Sequence, residues 1–287
     1  MKGPIVIIDA ANLLGRAVID AALMQGWPTI AVSADTTELE ALRERHAGAD
    51  LMTLAGSTRE EASSAALATA LRELDRPLAG IVIASADEPL RGRVLDRPAH
   101  ELLSRIDADL LPQIAAARHL LPLLAASGRN GSYVVVGSPG GEHPWAGYGA
   151  RSVAAAAVTM LTRVLHDEAR AFGVRVQLLT LSRPVRTDEN RACACDGWPS
   201  AAAIGEQALA LIEQTDPRKS TDAVVRFASP SRSNASKAAQ PADESMPPLS
   251  PAAEVSRVDP GSQRVLDQTW HALEPIFNSI RENGERK

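Results

Sequence analysis

Two short stretches of the sequence contain residues whose types and spacing could support chemistry. Ser138 lies in the run 137–141 (GSPGG), where small residues surround a serine as they do around a nucleophile on a sharp turn. Pro139 follows directly and has no N–H to donate to an oxyanion, so we exclude a serine hydrolase of that kind. Cys193 and Cys195 are one residue apart, but no third and fourth ligand lies at metal-site spacing, so we predict no bound metal.

The loops that hold these residues belong to a regular alternation of strands and helices. Short apolar runs rich in β-branched residues are separated by longer segments with helical periodicity. The predicted strands are 4–8, 29–32, 51–54, 80–84, 133–137, 175–181 and 223–227, and the predicted helices are 13–24, 38–45, 59–74, 99–126, 153–171 and 201–213. Because strands that are apolar on both faces are typical of buried parallel sheets, we predict an α/β fold with a doubly wound, seven-stranded parallel sheet in a single domain.

The composition changes abruptly at Ala228. Residues 228–262 include 8 Ser, 6 Pro and 7 Ala and no aromatic residue, so this segment cannot bury enough surface to offset the entropy lost on ordering. We therefore predict a folded domain over 1–230, a disordered Ser/Pro/Ala-rich linker over 231–261 and a C-terminal helix over 262–287.

The predicted C-terminal helix is amphipathic. Its apolar residues recur at helical spacing and are Leu266, Trp270, Leu273, Phe277 and Ile280. Pro275 interrupts the pattern and predicts a kink or a break. The helix either packs on its own domain or docks on a partner subunit through its apolar stripe.

The charge and the apolar content exclude several classes of function. The formal net charge is −5, and the chain has only 4 Trp, 3 Phe and 2 Tyr, so we expect neither a phosphate-seeking surface nor a base-stacking platform. No apolar run reaches the ~20 residues needed to cross a bilayer, and the first apolar stretch is too short for a signal-peptide core. We predict a cytoplasmic protein that binds neither nucleic acid nor a membrane.

Four short segments, taken in order, resemble the short-chain dehydrogenase/reductase family. Residues 131–138 (GSYVVVGS) resemble the family's fifth strand with its catalytic serine, and 148–152 (YGARS) resemble the Tyr-x-x-x-Lys motif that opens the next helix. Residues 173–177 and 184–187 resemble the sixth strand and the substrate loop after it. The resemblance extends from about residue 2 to residue 230. It implies a Rossmann-like sheet and hydride transfer between NAD(P) and a carbonyl or an alcohol.

The resemblance places the family's phosphate turn, Thr-Gly-x-x-x-Gly-x-Gly, on residues 8–15. Only Gly15, which serves helix packing, matches a glycine of the pattern, because Asp9 and Leu13 stand at the other two glycine positions. A carboxylate at Asp9 would repel the pyrophosphate, and its Cβ would resist the positive φ that glycine permits. Asn12 and Gly15 are the remaining candidates for cofactor contact, and we predict that no cofactor is bound.

The adenosine end of the implied cofactor site also lacks its usual side chains. Ser33 and Ala34 occupy the places where an acidic residue would bind NAD or an arginine would bind NADP. Asp35 comes later, and we predict that it caps the helix containing Glu38.

Two of the family's four catalytic positions hold the usual residue in this sequence. Ser138 and Tyr148 match the family's serine and tyrosine, whereas the lysine position holds Ser152 and the helix asparagine of the proton relay becomes Asp109. Ser152 cannot supply the charge that favours a phenolate, and Asp109 would place negative charge beside the tyrosine. Arg151 is one position away, a rotation of ~100° around a helix, so it should point elsewhere. We therefore predict that Ser138 and Tyr148 are vestigial.

The helices after the fourth and fifth strands form a four-helix bundle between subunits in this family. The corresponding segments here are 99–126 and 148–171, and successive alanines at 154–157 cover all sides of the second helix. Small side chains let backbones approach closely, so we predict a homo- or hetero-oligomer through these helices, with an active member of the same family as the natural partner.

Three functions remain open from the sequence. The leading hypothesis is a catalytically impaired protein that acts as a structural or regulatory subunit beside an active paralogue. The second is an NAD(P)-dependent carbonyl reductase or alcohol dehydrogenase with an atypical site, in which water or Arg151 replaces the lysine. The third is a sensor that binds a small molecule or a nucleotide in the crevice at the carboxyl ends of the strands.

Overall fold

The computed structural model describes residues 2–84, 91–187, 190–195, 197–214 and 222–228. The strands within these residues are β1 (Ile5–Ile8), β2 (Thr29–Ser33), β3 (Leu51–Ala55), β4 (Gly80–Ile83), β5 (Ser132–Val136), β6 (Arg175–Thr180) and β7 (Val224–Arg226). The α-helices are α1 (Leu13–Met24), α2 (Thr36–Arg45), α3 (Glu61–Glu73), α4 (Ala99–Ala126), α5 (Gly149–Ala169) and α6 (Ala201–Glu213). The linker and the helix predicted over 231–261 and 262–287 lie outside the described residues.

The strands form one parallel sheet in the order β3-β2-β1-β4-β5-β6-β7. This confirms the predicted doubly wound, seven-stranded sheet. The order reverses between β1 and β4, so the connections leave these two strands in opposite directions. A crevice is expected at the carboxyl ends of such a pair, which is where α/β sheets bind their ligands.

Each face of the sheet is covered by its own apolar cluster. Ile7 of β1 lies in a cluster with residues of α1, α2 and α6, whereas Ile8, its neighbour in the chain, lies in a cluster with residues of α3 and α4. Both isoleucines are at most 1% exposed. Successive side chains of a strand point to opposite faces, so a run of consecutive apolar residues is what a sheet covered on both sides requires.

Two helices begin earlier than the sequence predicts. Helix α2 begins at Thr36 because Asp35 caps it, with the Asp35 carboxylate accepting from the N–H groups of Thr37 (3.0 Å) and Glu38 (3.1 Å). This confirms the predicted cap. Helix α5 begins at Gly149 rather than at residue 153, where its apolar periodicity begins, and no side-chain cap marks this start. The start agrees with the resemblance of 148–152 to a motif that opens a helix.

Tyr133, in the middle of β5, is the largest fully buried side chain of the described core. Its hydroxyl oxygen has no hydrogen-bond partner among the described residues. Burial raises the pKa of the Tyr133 phenol well above its ordinary value, because a phenolate cannot be solvated there. The hydroxyl therefore reduces the stability that the ring provides.

Replacing Tyr133 with Phe removes this hydroxyl, so we expect the free energy of unfolding to rise by about 1 kcal/mol in urea denaturation at neutral pH. Above about pH 10 the unfolded wild-type chain releases the phenolic proton while the folded chain keeps it, so the wild type loses stability there and the advantage of the Phe variant grows. Tyr148→Phe is the matched control, because Tyr148 is only half-buried and its hydroxyl has a partner. A Tyr133→Phe protein that unfolds more easily than the wild type would contradict this account.

Candidate functional site

The turn between β1 and α1 has a positive φ at Asp9 and keeps one glycine of the phosphate-turn pattern, Gly15. The Cβ of Asp9 was expected to resist a positive φ at this position. Asp9 nevertheless adopts a φ of 57°. This corrects the sequence-based expectation, because aspartate tolerates the left-handed region better than most residues. A Cβ at Gly15 would lie 2.5 Å from the Asp9 carbonyl oxygen, so Gly15 allows α1 to pack against the turn, as predicted.

Both the oxygen and the nitrogen of the Asn12 carboxamide form hydrogen bonds with the backbone of this chain. Its oxygen accepts from the Gly15 N–H at 2.8 Å, which makes Asn12 the N-cap of α1. Its nitrogen donates to the Ala84 carbonyl oxygen at 2.6 Å, at the end of β4. Leu13 follows as the first residue of α1, and 38% of it is exposed. The helix N-terminus that would bind a pyrophosphate therefore has one N–H already satisfied and an isobutyl group beside it.

The polar residues at the end of β2 are engaged in local structure. The Ser33 hydroxyl accepts from the Asp35 N–H at 3.1 Å, and Asp35 caps α2. Arg16 of α1, which reaches this area, forms an ion pair with Glu38 at 3.2 Å. Asp35 is thus used as a helix cap and Arg16 as an ion-pair partner. Neither is engaged as the acidic residue that binds the ribose of NAD or the arginine that binds the phosphate of NADP would be.

Ser152, at the lysine position of the resemblance, is buried and holds the loop before α5. Its hydroxyl donates to the Tyr148 carbonyl oxygen at 3.0 Å and accepts from the Trp145 N–H at 2.9 Å. A Cβ at Gly140 would lie 2.8 Å from the Ser152 hydroxyl oxygen, so the loop is closely packed around it. The side chain at position 152 therefore holds the loop before α5 in place through hydrogen bonds.

Tyr148 has a cationic partner that the sequence did not reveal. The Arg91 Nε donates to the Tyr148 hydroxyl oxygen at 2.7 Å, and the Tyr148 ring stacks on Trp145 with centroids 3.9 Å apart. The backbone fixes the pair, because the Gly92 N–H donates to the Gly147 carbonyl oxygen (2.8 Å) and the Gly149 N–H to the Gly92 carbonyl oxygen (3.1 Å). Arg91 is 57 positions away in the chain, and no motif marks it.

Asp109 was expected to place negative charge beside Tyr148, and the structure corrects this. The Asp109 carboxylate forms two hydrogen bonds with the guanidinium of Arg105, one turn earlier in α4, at 2.5 and 3.1 Å. The side chains of both residues are nearly buried. The charge of Asp109 is therefore compensated within α4, and the group in contact with the Tyr148 hydroxyl is the Arg91 cation instead.

A cavity of about 70 Å³ lies where β1, β5, α4 and α5 meet. Its walls include Asp9, Asp109, Ser138 and Arg151, whereas Tyr148 is not among its lining residues. Arg151 also lines this cavity and is 9% exposed, so it lies with Ser138 rather than at the Tyr148 hydroxyl, whose cationic partner is Arg91. The structure thus brings together Ser138 and Asp109 and separates the predicted tyrosine from their cavity.

The remaining candidates show no comparable organisation. Cys193 and Cys195 are exposed free thiols. Across the described part of the chain, no group of three His, Cys, Asp or Glu side chains could hold a metal ion. In the same part of the chain, no helix is both long and apolar enough to cross a membrane.

Comparisons with known proteins agree on one family. Residues 10–242 match the family model described as enoyl-(acyl carrier protein) reductase. Among solved structures, a short-chain dehydrogenase from Streptomyces avermitilis is similar at 20% identity and a TM-score of 0.66, over 80% of this chain and 89% of that one.

Two similar structures contain a nicotinamide cofactor. An NADPH-bound short-chain oxidoreductase with an atypical catalytic centre, from Pseudomonas aeruginosa PAO1, has 19% identity and a TM-score of 0.68, over 81% of this chain and 98% of that one. A variant of actinorhodin polyketide ketoreductase with NADPH has 17% identity and a TM-score of 0.66, over 78% of this chain and 95% of that one. No curated protein sequence matches this chain.

Substitutions at Ser152 test the supporting role of this side chain. Ser152→Ala removes two hydrogen bonds, so we expect a loss of about 1–2 kcal/mol in the free energy of unfolding, measured by urea denaturation. Ser152→Lys should lose more, because it forces an ammonium group into a closely packed, buried position. Ser104→Ala removes a similar bond to the His100 carbonyl oxygen on an exposed face and should change stability by less than ~0.5 kcal/mol. A Ser152→Lys protein as stable as the wild type would show that the loop can accept the family's lysine.

Proposed function

We infer the function of this chain from its family: it belongs to the short-chain dehydrogenase/reductase family, and we propose that it serves there as a subunit without dinucleotide chemistry of its own. Its role would be structural or regulatory, in an assembly with a second subunit of the same fold. NAD(P) is the cofactor that the family implies, so the first question is whether the residues present fit it.

The β1–α1 turn is the observation that carries this proposal. The Asn12 carboxamide caps α1 and bonds to the Ala84 carbonyl oxygen, Leu13 covers the helix N-terminus, and Asp9 adds a carboxylate. A pyrophosphate brings two negative charges and needs open N–H groups at that place. The side chains present do not fit that group, and we derive no reaction step through it.

The polar groups of the former catalytic set support the same proposal. Ser152 supports a loop and Asp109 is paired with Arg105, so neither is placed to act on a substrate. A polar group that already has good partners gains little from a ligand, because binding would replace one set of hydrogen bonds with another.

The surface for the second subunit lies on α4 and α5. Both helices expose large apolar residues at intervals that fall along one side of a helix, and these are Leu103, Leu111 and Ile114 on α4 and Val153, Met160 and Val164 on α5. The Leu111 and Met160 side chains are more than half exposed. A second subunit with the same pair of helices would cover both stripes in a four-helix contact.

The contact between Arg91 and Tyr148 favours a second candidate function. Arg91 supplies a positive charge at the phenol hydroxyl, which is the part that the missing lysine plays in the family's chemistry. A carbonyl reductase or alcohol dehydrogenase with this atypical site would need NAD(P) to be held in a pose that avoids the β1–α1 turn.

Titration with NADPH and NADH, followed calorimetrically, separates the two candidates. We expect no saturable binding to the wild type up to ~1 mM, because the turn offers a carboxylate and a leucine instead of open N–H groups. Asp9→Gly/Leu13→Gly should bind at least ~10-fold more tightly, because it restores a glycine at both places. Asp75→Gly/Leu95→Gly is the matched control, with the same changes at another positive-φ aspartate (φ 48°) and another exposed leucine.

The opposite result would establish the reductase. Micromolar binding by the wild type, with carbonyl turnover that disappears in both Tyr148→Phe and Arg91→Gln, would end the non-catalytic proposal.

Sedimentation velocity tests the α4–α5 surface. We expect the wild type to form a dimer or larger species, alone or when mixed with an active member of the family. Leu111→Asp/Met160→Asp should weaken that association at least ~100-fold, because a charge would be buried in an apolar contact. Leu95→Asp, at a residue that is 86% exposed outside these helices, is the control. Association that is unchanged in the double variant would place the interface elsewhere.

A further inference from the structure

A larger cleft lies at the opposite edge of the sheet, at the amino ends of β1, β5 and β6. Its volume is about 430 Å³, within the range of small-molecule sites. The polar and aromatic residues of its walls include Lys2, Trp27, Arg129, Asn130, Arg175 and Glu213. None of them belongs to the crevice at the carboxyl ends of the strands.

Arg175, the first residue of β6, is a partly buried cation whose hydrogen-bond partners are all neutral. Its Nη2 donates to the Ser132 hydroxyl and to the carbonyl oxygens of Leu211 (3.2 Å) and Ile212 (3.5 Å). Its Nε is buried and has no partner among the described residues. Within that part of the chain, no carboxylate forms an ion pair with it, and burial lowers the pKa of the Arg175 guanidinium because its charge is poorly solvated.

Capping of α6 explains only part of this arrangement. Leu211 and Ile212 lie in the last turn of α6, so Nη2 bonds to carbonyl groups that the helix itself cannot satisfy. Capping leaves Nε without a partner and leaves the positive charge without a counter-charge. A half-buried guanidinium of this kind gains most from an anion that accepts from it directly.

Most of the charged side chains that the structure describes in this cleft are cations. Lys2 places its Nζ 4.3 Å from the centre of the Trp27 ring, and Arg129 contributes a further cation to the wall. Glu213, the acidic residue among the walls, accepts from the Trp27 Nε1 at 2.9 Å. Among the described residues, three cations and one carboxylate line this cleft, in a chain whose net charge is −5.

We propose that this cleft binds a small metabolite through an anionic oxygen group, a phosphate or a carboxylate, with Arg175 as the anchor and Lys2 and Arg129 as secondary contacts. Arg is suited to this role because its planar guanidinium matches both kinds of oxyanion. The proposal goes beyond the subunit role and does not depend on it, because the cleft lies at the other edge of the sheet from the β1–α1 turn. A ligand here would give the chain a binding function of its own.

The test uses the full-length protein with inorganic phosphate and acetate as separate probes, each titrated by calorimetry and by thermal unfolding at constant ionic strength, with chloride as the reference salt. We expect saturable binding of at least one probe, and the stronger of the two identifies the oxyanion class. Arg175→Gln should weaken that binding at least ~10-fold. Arg129→Gln changes an exposed residue and should weaken the binding severalfold without unfolding the chain. This second variant is needed because Arg175→Gln also removes the cap of α6 and could destabilise the protein.

Arg16→Gln is the matched control, because Arg16 is an arginine outside the cleft, in an ion pair with Glu38, and its removal should leave binding unchanged. The proposal is overturned if neither probe binds saturably, or if phosphate and acetate bind equally well to the wild type, Arg175→Gln and Arg129→Gln. Neither result would bear on the NADPH titration, so failure of this site and failure of the subunit proposal are separable.

Discussion

A single carboxamide connects the two strands on which the architecture of the sheet depends. Asn12 caps α1 through its oxygen and bonds to the end of β4 through its nitrogen, at the point where the strand order reverses. In a doubly wound sheet this is the place where loops separate and leave room for a ligand. Here the Asn12 carboxamide satisfies one N–H at the start of α1, that of Gly15, and joins this turn to the end of β4.

Polar side chains at two of the family's site positions bond within the fold itself. Ser152 still stands on α5 and Asp109 on α4, yet each bonds to a neighbour within its own helix or the adjoining loop. The backbone of the β1–α1 turn also keeps a positive φ at Asp9. Stability and ligand binding are separable properties, so the fold does not by itself decide which ligand its side chains accept.

The sequence predicted the sheet well because buried parallel strands leave a strong signal. The run at Ile5–Ile8 is apolar at every position, and a strand covered on both faces has no other composition available. The site was less predictable, because its contacts are decided by how loops meet. The Arg91 contact with Tyr148 depends on pairing between Gly92 and Gly149, and no local pattern encodes a contact across 57 positions. Helical rotation predicted that Arg151 does not take the place of the lysine, but it could not indicate that Arg151 lines a cavity with Ser138.

The order of the strands also has a consequence for synthesis on the ribosome. β1 precedes both of its neighbours in the chain, yet it lies at the centre of the sheet between β2 and β4, and β4 begins only at Gly80. Until that strand leaves the exit tunnel, one edge of β1 lacks its partner and its isoleucines lack part of their cover. The nascent chain therefore carries an exposed, apolar, strand-forming segment while the residues between β1 and β4 are synthesised.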